Sequence, residues 1–495
     1  MKTFINIMAI CLCISTVSCG CAKSGPENSQ TAKPYIKVDI SEKLVNNKSG
    51  AFTVNVTSNT SWTAEPQSDW ISCNIGNGEG NRTVTISYES NYKDEECTVD
   101  GDSRSGSIRF SASGMIPVRV TIKQGLRTFR NPVFMPMPDP YIWREETGQS
   151  VVYYPCKSNG SGVNLGKTNK LTVWGGTSEV WHCPKDGAIP AWNNANLWAP
   201  EIHRIDGKWY IYYAAGRPTS ETGGSYGTQR TGVLECTSED PTSGVWIDKG
   251  QIFTGEKEDL EQYLSSGEVT TDNNIYAIDM TVFELDDKLY AVWSGNESKT
   301  NGNQRLYIAP MENPYTIKQA RIRLSYPSRS WETNNSNLLE GPAMLFNPDR
   351  TKLFCVYSCN GSWTKEYKLG WLELDLTNPA TSDPLDPDNW TKSENYVFWR
   401  CDNVSKSDNP YADDAQNEST MHIGGVHGLG HNTFTMSPDG TENWIVYHVK
   451  RYKDDGWDNR DAFIQKFTWD ENGRPVFGEP AGWQEDLEVP SGEPL

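Results

Sequence analysis

The sequence predicts an all-β protein, an N-terminal Ig-like β-sandwich followed by a five-bladed β-propeller, and three observations predict it. Brief alternating segments between residues 34 and 126 are separated by Gly, Asn and Ser clusters at the spacing of a sandwich. From residue 127 to 495 a single plan recurs five times: a polar residue, a strand, a turn, then an aromatic-rich strand. The chain, at 495 residues, is too long for one ordinary core and long enough for a sandwich plus a large all-β unit.

The N-terminus reads "MKTFINIMAICLCISTVSCGC". Lys2, an apolar run from Ile5 to Val17, and then small residues and cysteine form a secretory leader over residues 1–19. The run is too short to cross a bilayer as a stable helix. A cysteine directly after such a run is similar to a bacterial lipoprotein signal. "TVSC" makes Cys19 the expected lipidated residue, "SCGC" leaves Cys21 open, and simple cleavage with secretion is the alternative. The expected location is outside the cytoplasm, anchored to the outer membrane by lipid, facing the periplasm or the cell surface. Residues 20–33 read as a short polar tether.

Of 12 cysteines, Cys11, Cys13, Cys19 and Cys21 lie in or beside the leader, which leaves eight in the body. No CxxC pair is among those eight, so zinc is not expected. Disulfides are permitted in an exported protein, but no pairing follows from the sequence. The formal net charge of −19 excludes nucleic acid as a natural partner, because that binding depends on clustered Lys and Arg. A neutral ligand fits better. Aromatic residues make up 11% of the chain, and their flat faces suit sugar rings as well as cores, although ordinary β packing accounts for most of them.

Residues 34–126 carry "YIKVDI", "GAFTVNVTSNTSWTAEP", "RTVTISYES", "SGSIRFSAS" and "IPVRVTIKQ". Through "SNTSWTAEPQSDWI", "GNGEGNRTVTI", "RSGSIRF" and the closing "VTIKQ" this module resembles the BACON domain of gut Bacteroidetes. The resemblance implies association with carbohydrate or mucin, or a spacer that holds the next domain off the membrane. Trp62 and Trp70 are expected in its core rather than on a binding platform.

The five repeats are "DPYIWREETGQSVVYYP" from Asp139, "EIHRIDGKWYIYYAA" from Glu201, "DMTVFELDDKLYAVWSG" from Asp279, "EGPAMLFNPDRTKLFCVYSC" from Glu340 and "HNTFTMSPDGTENWIVYHV" from His431. Their turns "TGQ", "DGK", "DDK", "PDR" and "PDG" fall where a hairpin needs Gly or Asp. Repetition at about one hairpin or more per unit points to a propeller with five blades. The innermost strand of each blade lies along a central channel, so a polar residue at its head faces the channel mouth rather than a core. Four of the five heads are acidic. Carboxylates that converge on one axis perturb one another by repulsion and desolvation, which can supply an acid and a base together.

At these residues the chain resembles glycoside hydrolase family 43, a family of five-bladed propellers. "MPDPYI" matches the motif of the family's general base at Asp139. "AIDMTVF" matches that of an aspartate that tunes pKa and orientation at Asp279, and "LLEGPAM" that of the general acid at Glu340. "NLWAPEIHRIDGKWYIYYAA", "HGLGHNTF" and the C-terminal "DAFIQKFTWDENGRPVFGEP" also match. The resemblance implies glycoside hydrolysis with inversion. One protonated carboxyl serves the leaving oxygen, and one carboxylate activates water on the opposite face, about 6.5 to 9.5 Å away. In this reading Asp279, as an anion close to Glu340, would raise the pKa of the acid.

The resemblance also places His431 on the channel floor against substrate or a water-bound ion, and directs Arg460 of "DNRDAFIQKF" at sugar hydroxyls. Glu201 after "WAP" is a candidate pocket residue or a structural one. No cofactor is implied, although family members often carry calcium or another ion at the axis, and no calcium-loop spacing is evident here. The insert between Tyr154 and Leu197, with Trp174, Trp181 and Trp192, is expected to wall the pocket. "GGSYG" at 223–227 fits a nucleophile elbow only in spelling, since no helix follows. "SGVNLGKT" lacks the first glycine of a P-loop, and "SPDGTENW" is an out-of-register Asp box. The expected substrate is a plant polysaccharide or oligosaccharide with α-L-arabinofuranosyl linkages, by likeness of "WAPEIHRIDGKWYIYYAAG" to arabinofuranosidase members. β-Xylosidase, endo-arabinanase or a non-catalytic sugar-binding propeller remain the alternatives.

Overall fold

A computed structural model of the chain describes residues 33–93, 101–409 and 424–494, apart from 126, 149 and 189. The leader, Cys19 and the tether up to residue 32 lie outside the described residues. The chain divides into two compact units, a smaller one ending at Gln124 and a larger one running from Gly125.

The smaller unit holds two sheets. One has four strands (Ile36–Val38, Gly50–Ser58, Ile71–Cys73, Arg82–Tyr88) and the other five (Glu42–Val45, Ser61–Pro66, Asn77–Glu79, Arg104–Ala112, Val118–Gln124). Period-two alternation sends Val54, Val56, Val84 and Ile86 of the first sheet, and Ile108, Phe110, Val120 and Ile122 of the second, into the interior. Trp62 is buried, and its indole N–H donates to the Gly80 carbonyl at 2.9 Å. Trp70 is only partly buried, with the Arg104 guanidinium 4.3 Å from its ring centre.

The larger unit is a run of five four-stranded antiparallel sheets, each built from strands consecutive in sequence. Their innermost strands are Tyr141–Thr147, Ala195–Ile205, Ala277–Leu285, Leu339–Phe346 and His427–Met436. Each touches the next, and the fifth touches the first, so the sheets close into a ring of five blades. Strands covered by blades on both faces need unbroken apolar runs, and Lys208–Gly216 is buried at every position after Lys208. The hairpins behave as their residues require. Asp206 and Gly207 (φ 49° and 78°), like Asp286 and Asp287 (51° and 58°), take the left-handed conformation of two-residue turns. The ring is closed by the segment before the first blade. Val133 and Met137 donate backbone N–H groups to the carbonyls of Ala462 and Arg460 in the fifth blade. The buried Asn131 side chain pairs with both the N–H and the C=O of Ile464, at 2.9 Å each.

The insert does not form the expected pocket wall. The insert supplies the outer strands of the first blade, Gly162–Gly166 and Thr177–His182. Trp174 is fully buried, with its indole N–H on the Leu171 carbonyl, while Trp181 and Trp192 pack on Tyr213. Large rings at sheet edges gain more from sealing adjacent blades than from standing in water.

The register also departs from five equivalent heads. In four innermost strands the pairing slips at the same place. Trp198 faces Ala214 and then Glu201 faces Tyr212; Ile278 faces Ser294 and then Thr281 faces Val292. Glu340 faces Ser358 and then Ala343 faces Val356; Gly430 faces His448 and then Thr433 faces Val446. Two residues therefore bulge against one, which re-aims a side chain. The first bulged residues are Ala199, Asp279, Gly341 and His431, with φ between 42° and 55°, and Asp139 has φ 50° at the corresponding place in the first blade. The five heads are thus not equivalent: Glu340 sits one residue before the bulge and Glu201 two residues after Ala199.

Candidate active site

The bulges aim side chains into a cavity of about 480 Å³ that contains Asp139, Asp279, Glu340, His431 and Arg460. These five, spread over the sequence, are brought together by ring closure. Glu201 is not among the lining residues. It is buried, with its carboxylate 3.2 Å from His203 Nε2.

Asp139 is surrounded by nitrogen. Arg460 Nη1 donates to its Oδ1 at 2.8 Å, and the same oxygen lies 3.3 Å from His431 Nδ1 and 3.5 Å from His448 Nδ1. Its own backbone N–H donates to His448 Nδ1 at 3.3 Å. Burial alone would raise this carboxyl, but the charge of Arg460 first, then His431 and the His448 contact, outweighs it and holds Asp139 well below the usual carboxylate range. His448 is wholly buried and stacked on Tyr367, its ring planes 5° apart. Burial pushes it down to about 3 against the opposing pull of Asp139, which keeps its imidazole neutral.

The other two carboxyls are pushed the opposite way. Glu340 is raised to about 7, first by burial and then by the negative charge of Asp139, against the lowering influence of Tyr367, Arg460 and Gln304. Gln304 Nε2 donates to Glu340 Oε2 at 3.4 Å and to Ser294 Oγ at 3.0 Å, so the glutamate is held from the neighbouring blade. Asp279 is driven well above its ordinary value by burial, then by Glu340 and Asp139, and its Oδ2 accepts the Gly341 N–H at 3.0 Å. Asp279 and Glu340 share one buried site, so the charge of either raises the other, and the charge of Asp139 raises both. A Cβ on Gly341, whose φ is 54°, would lie 3.2 Å from the His431 ring and would need that ring to shift.

One cavity thus holds a carboxylate that stays ionised and two carboxyls that hold protons toward neutrality, the combination acid/base chemistry needs. Arg460 lines the cavity, and its Nη1 donates to Asp139. Among the described residues no group of three or more His, Cys, Asp or Glu side chains is placed to hold a metal.

Several cavity residues escaped sequence reasoning. Gln304 on the cavity wall and His448, buried behind Asp139, drew no notice in the sequence. Four aromatic residues stand around the mouth: Trp198 against Tyr226, with ring centres 4.9 Å apart, and Trp363 against Trp457. Tyr226 belongs to the "GGSYG" loop. The available signal was a tryptophan or tyrosine inside a Gly/Ser-rich polar loop, where a core residue is out of place.

Comparison with known proteins agrees with this geometry. The profile of the Glycosyl hydrolases family 43 matches residues 129–475. An extracellular exo-α-(1→5)-L-arabinofuranosidase of Streptomyces avermitilis is 32% identical over 71% of this chain and 64% of its own length. An α-L-arabinofuranosidase 43 of Humicola insolens is 31% identical over 58% of this chain and 50% of its own. The chain thus spans less than two thirds of either relative. The crystal structure of an α-L-arabinofuranosidase from Lactobacillus brevis superposes with a TM-score of 0.57 at 31% identity, covering 71% of this chain and 97% of that one. With the profile spanning well over half of the sequence, the chain belongs to the Glycosyl hydrolases family 43.

Proposed function

We propose that the protein removes α-L-arabinofuranosyl groups from plant polysaccharide or oligosaccharide with inversion at the anomeric carbon. The observation that carries this reading is the opposed protonation of Asp139 and Glu340 in one cavity. Glu340 gives its proton to the leaving glycosidic oxygen as the C–O bond breaks. Asp139 takes a proton from the water that attacks the anomeric carbon on the opposite face. Arg460 and His431 hold Asp139 in place, and Asp279 holds the Gly341 backbone beside Glu340. The names of the relatives favour arabinose over xylose. The test is incubation with arabinan and arabinoxylan fragments, with proton NMR of the first-formed sugar. Free arabinose of inverted configuration is expected. Xylose as the main product would remove the arabinose assignment, and retained configuration would make Asp139 a nucleophile.

The same reading takes residues 1–19 as a leader, Cys19 as the lipid attachment site, and residues 34–126 as a BACON-like Ig-like sandwich serving as spacer or glycan contact. Support comes from the sequence pattern and from the two apolar-faced sheets of the smaller unit. Labelled palmitate should enter the wild-type protein in a bacterial host but not Cys19→Ala, and label persisting in the variant would move the anchor to Cys21.

A further inference from the structure

Trp363 and Trp457 stand at the mouth of the catalytic cavity, 39% and 56% exposed. Their rings meet edge to face with centres 5.4 Å apart, and Trp457 Nε1–H reaches Ser362 Oγ at 3.3 Å. The Trp363 ring lies against Gly361, where a Cβ would come within 2.5 Å of it. Lys450 Nζ donates to the Gly456 carbonyl and pins the loop that carries Trp457. The pair is fixed from behind and open in front. Leaving two indoles in water forgoes the stabilisation that burial brings, about 25 cal/mol per Å² of apolar surface. A flat apolar face adjoining a polar cavity matches the C–H face of a sugar ring, whose hydroxyls project from its edge.

We propose that the Trp363–Trp457 pair is the binding face for the sugar residue on the leaving-group side of the scissile bond. This rests on the glycosidase reading of the cavity. The side follows from the strand order. The loop bearing Trp363 leaves strand Lys352–Cys359, which pairs with the strand of Glu340, with Glu340 opposite Ser358. Trp363 therefore follows the partner strand of Glu340 and shares one cavity lining with this carboxyl, which protonates the leaving oxygen. Trp457 is also tied to the base: Arg460 Nε donates to the Trp457 carbonyl at 3.1 Å while its Nη1 donates to Asp139. A sugar seated on Trp457 loads the loop that sets Arg460 against Asp139.

The test compares wild type, Trp363→Ala, Trp457→Ala and Trp457→Phe on α-1,5-arabinotriose and on methyl α-L-arabinofuranoside, which has no second ring. Each alanine variant should lose about five- to tenfold or more in kcat/KM on the trisaccharide relative to its loss on the methyl glycoside, chiefly through KM. Trp457→Phe, which keeps a flat face, should recover most of the difference. Equal losses on both substrates would reduce the tryptophans to supports for Arg460, and undiminished trisaccharide turnover would remove them from binding; either result overturns the proposal. If wild type hydrolyses neither compound, the arabinoside reading fails by itself. Indole fluorescence titrated with arabinotriose and xylotriose then decides the proposal: a sugar-dependent change abolished in Trp457→Ala upholds it, and no change overturns it.

Discussion

Arg460 Nη1 lies 2.8 Å from Asp139 Oδ1, a contact between side chains 321 residues apart. Asp139 enters the first blade and Arg460 opens the third strand of the fifth, so the contact spans the seam where the ring closes. It supplies the positive charge that counts most against the burial of Asp139.

Arg460→Gln should therefore release Asp139 upward. With the guanidinium gone, burial dominates, the carboxyl protonates at higher pH, and a base that must be ionised is lost first at the acid end. The acid limb of the kcat/KM profile should move to higher pH. An unmoved acid limb with lowered kcat would assign Arg460 to substrate instead.

Asp139→Asn and Glu340→Gln should differ by leaving group. Loss of the base should depress hydrolysis by roughly 10² to 10⁴ or more whatever the aglycone. Loss of the acid matters less where the leaving group needs little protonation. Glu340→Gln should keep much more activity on nitrophenyl arabinofuranoside than on arabino-oligosaccharide. Equal sensitivity to both would take Glu340 out of the acid role.

The alkaline limb should fall near pH 7, where Glu340 loses the proton it must donate. Burial, Asp139 and the coupled Asp279 all raise this group, so Asp279→Asn should move the limb downward. Asp279→Ala, which also removes the acceptor of the Gly341 N–H, should lower kcat further than Asp279→Asn does. An unmoved limb in Asp279→Asn would leave burial and Asp139 as what tunes the acid.

Asn131→Ala tests ring closure apart from catalysis. It leaves the buried N–H and C=O of Ile464 without their partner. The expected cost is about 2 to 4 kcal/mol, from two unsatisfied buried groups. Urea unfolding of the propeller, followed by tryptophan emission, should show an earlier midpoint, and an unchanged midpoint would locate closure elsewhere.

The sequence by itself determined the repeating elements and the chemical types at the site. Turn pairs such as Asp206–Gly207 and Asp286–Asp287 encode left-handed backbone locally, and apolar runs such as the one after Lys208 encode strands covered on both sides. Asp139, Asp279 and Glu340 were legible because each is a carboxylate at the head of an otherwise apolar strand. Tertiary structure alone decided which charge acts on which. A bulge of two residues against one puts Gly341, not Glu340, in register with Asp279. Ring closure sets Arg460 and His448 on Asp139, and places Trp363 and Trp457 at the mouth while hiding Trp174 in the core. The division has a physical cause. Backbone conformation depends on a few neighbouring residues, whereas desolvation, Coulomb coupling and the partners of a ring depend on distances between segments that are remote in sequence.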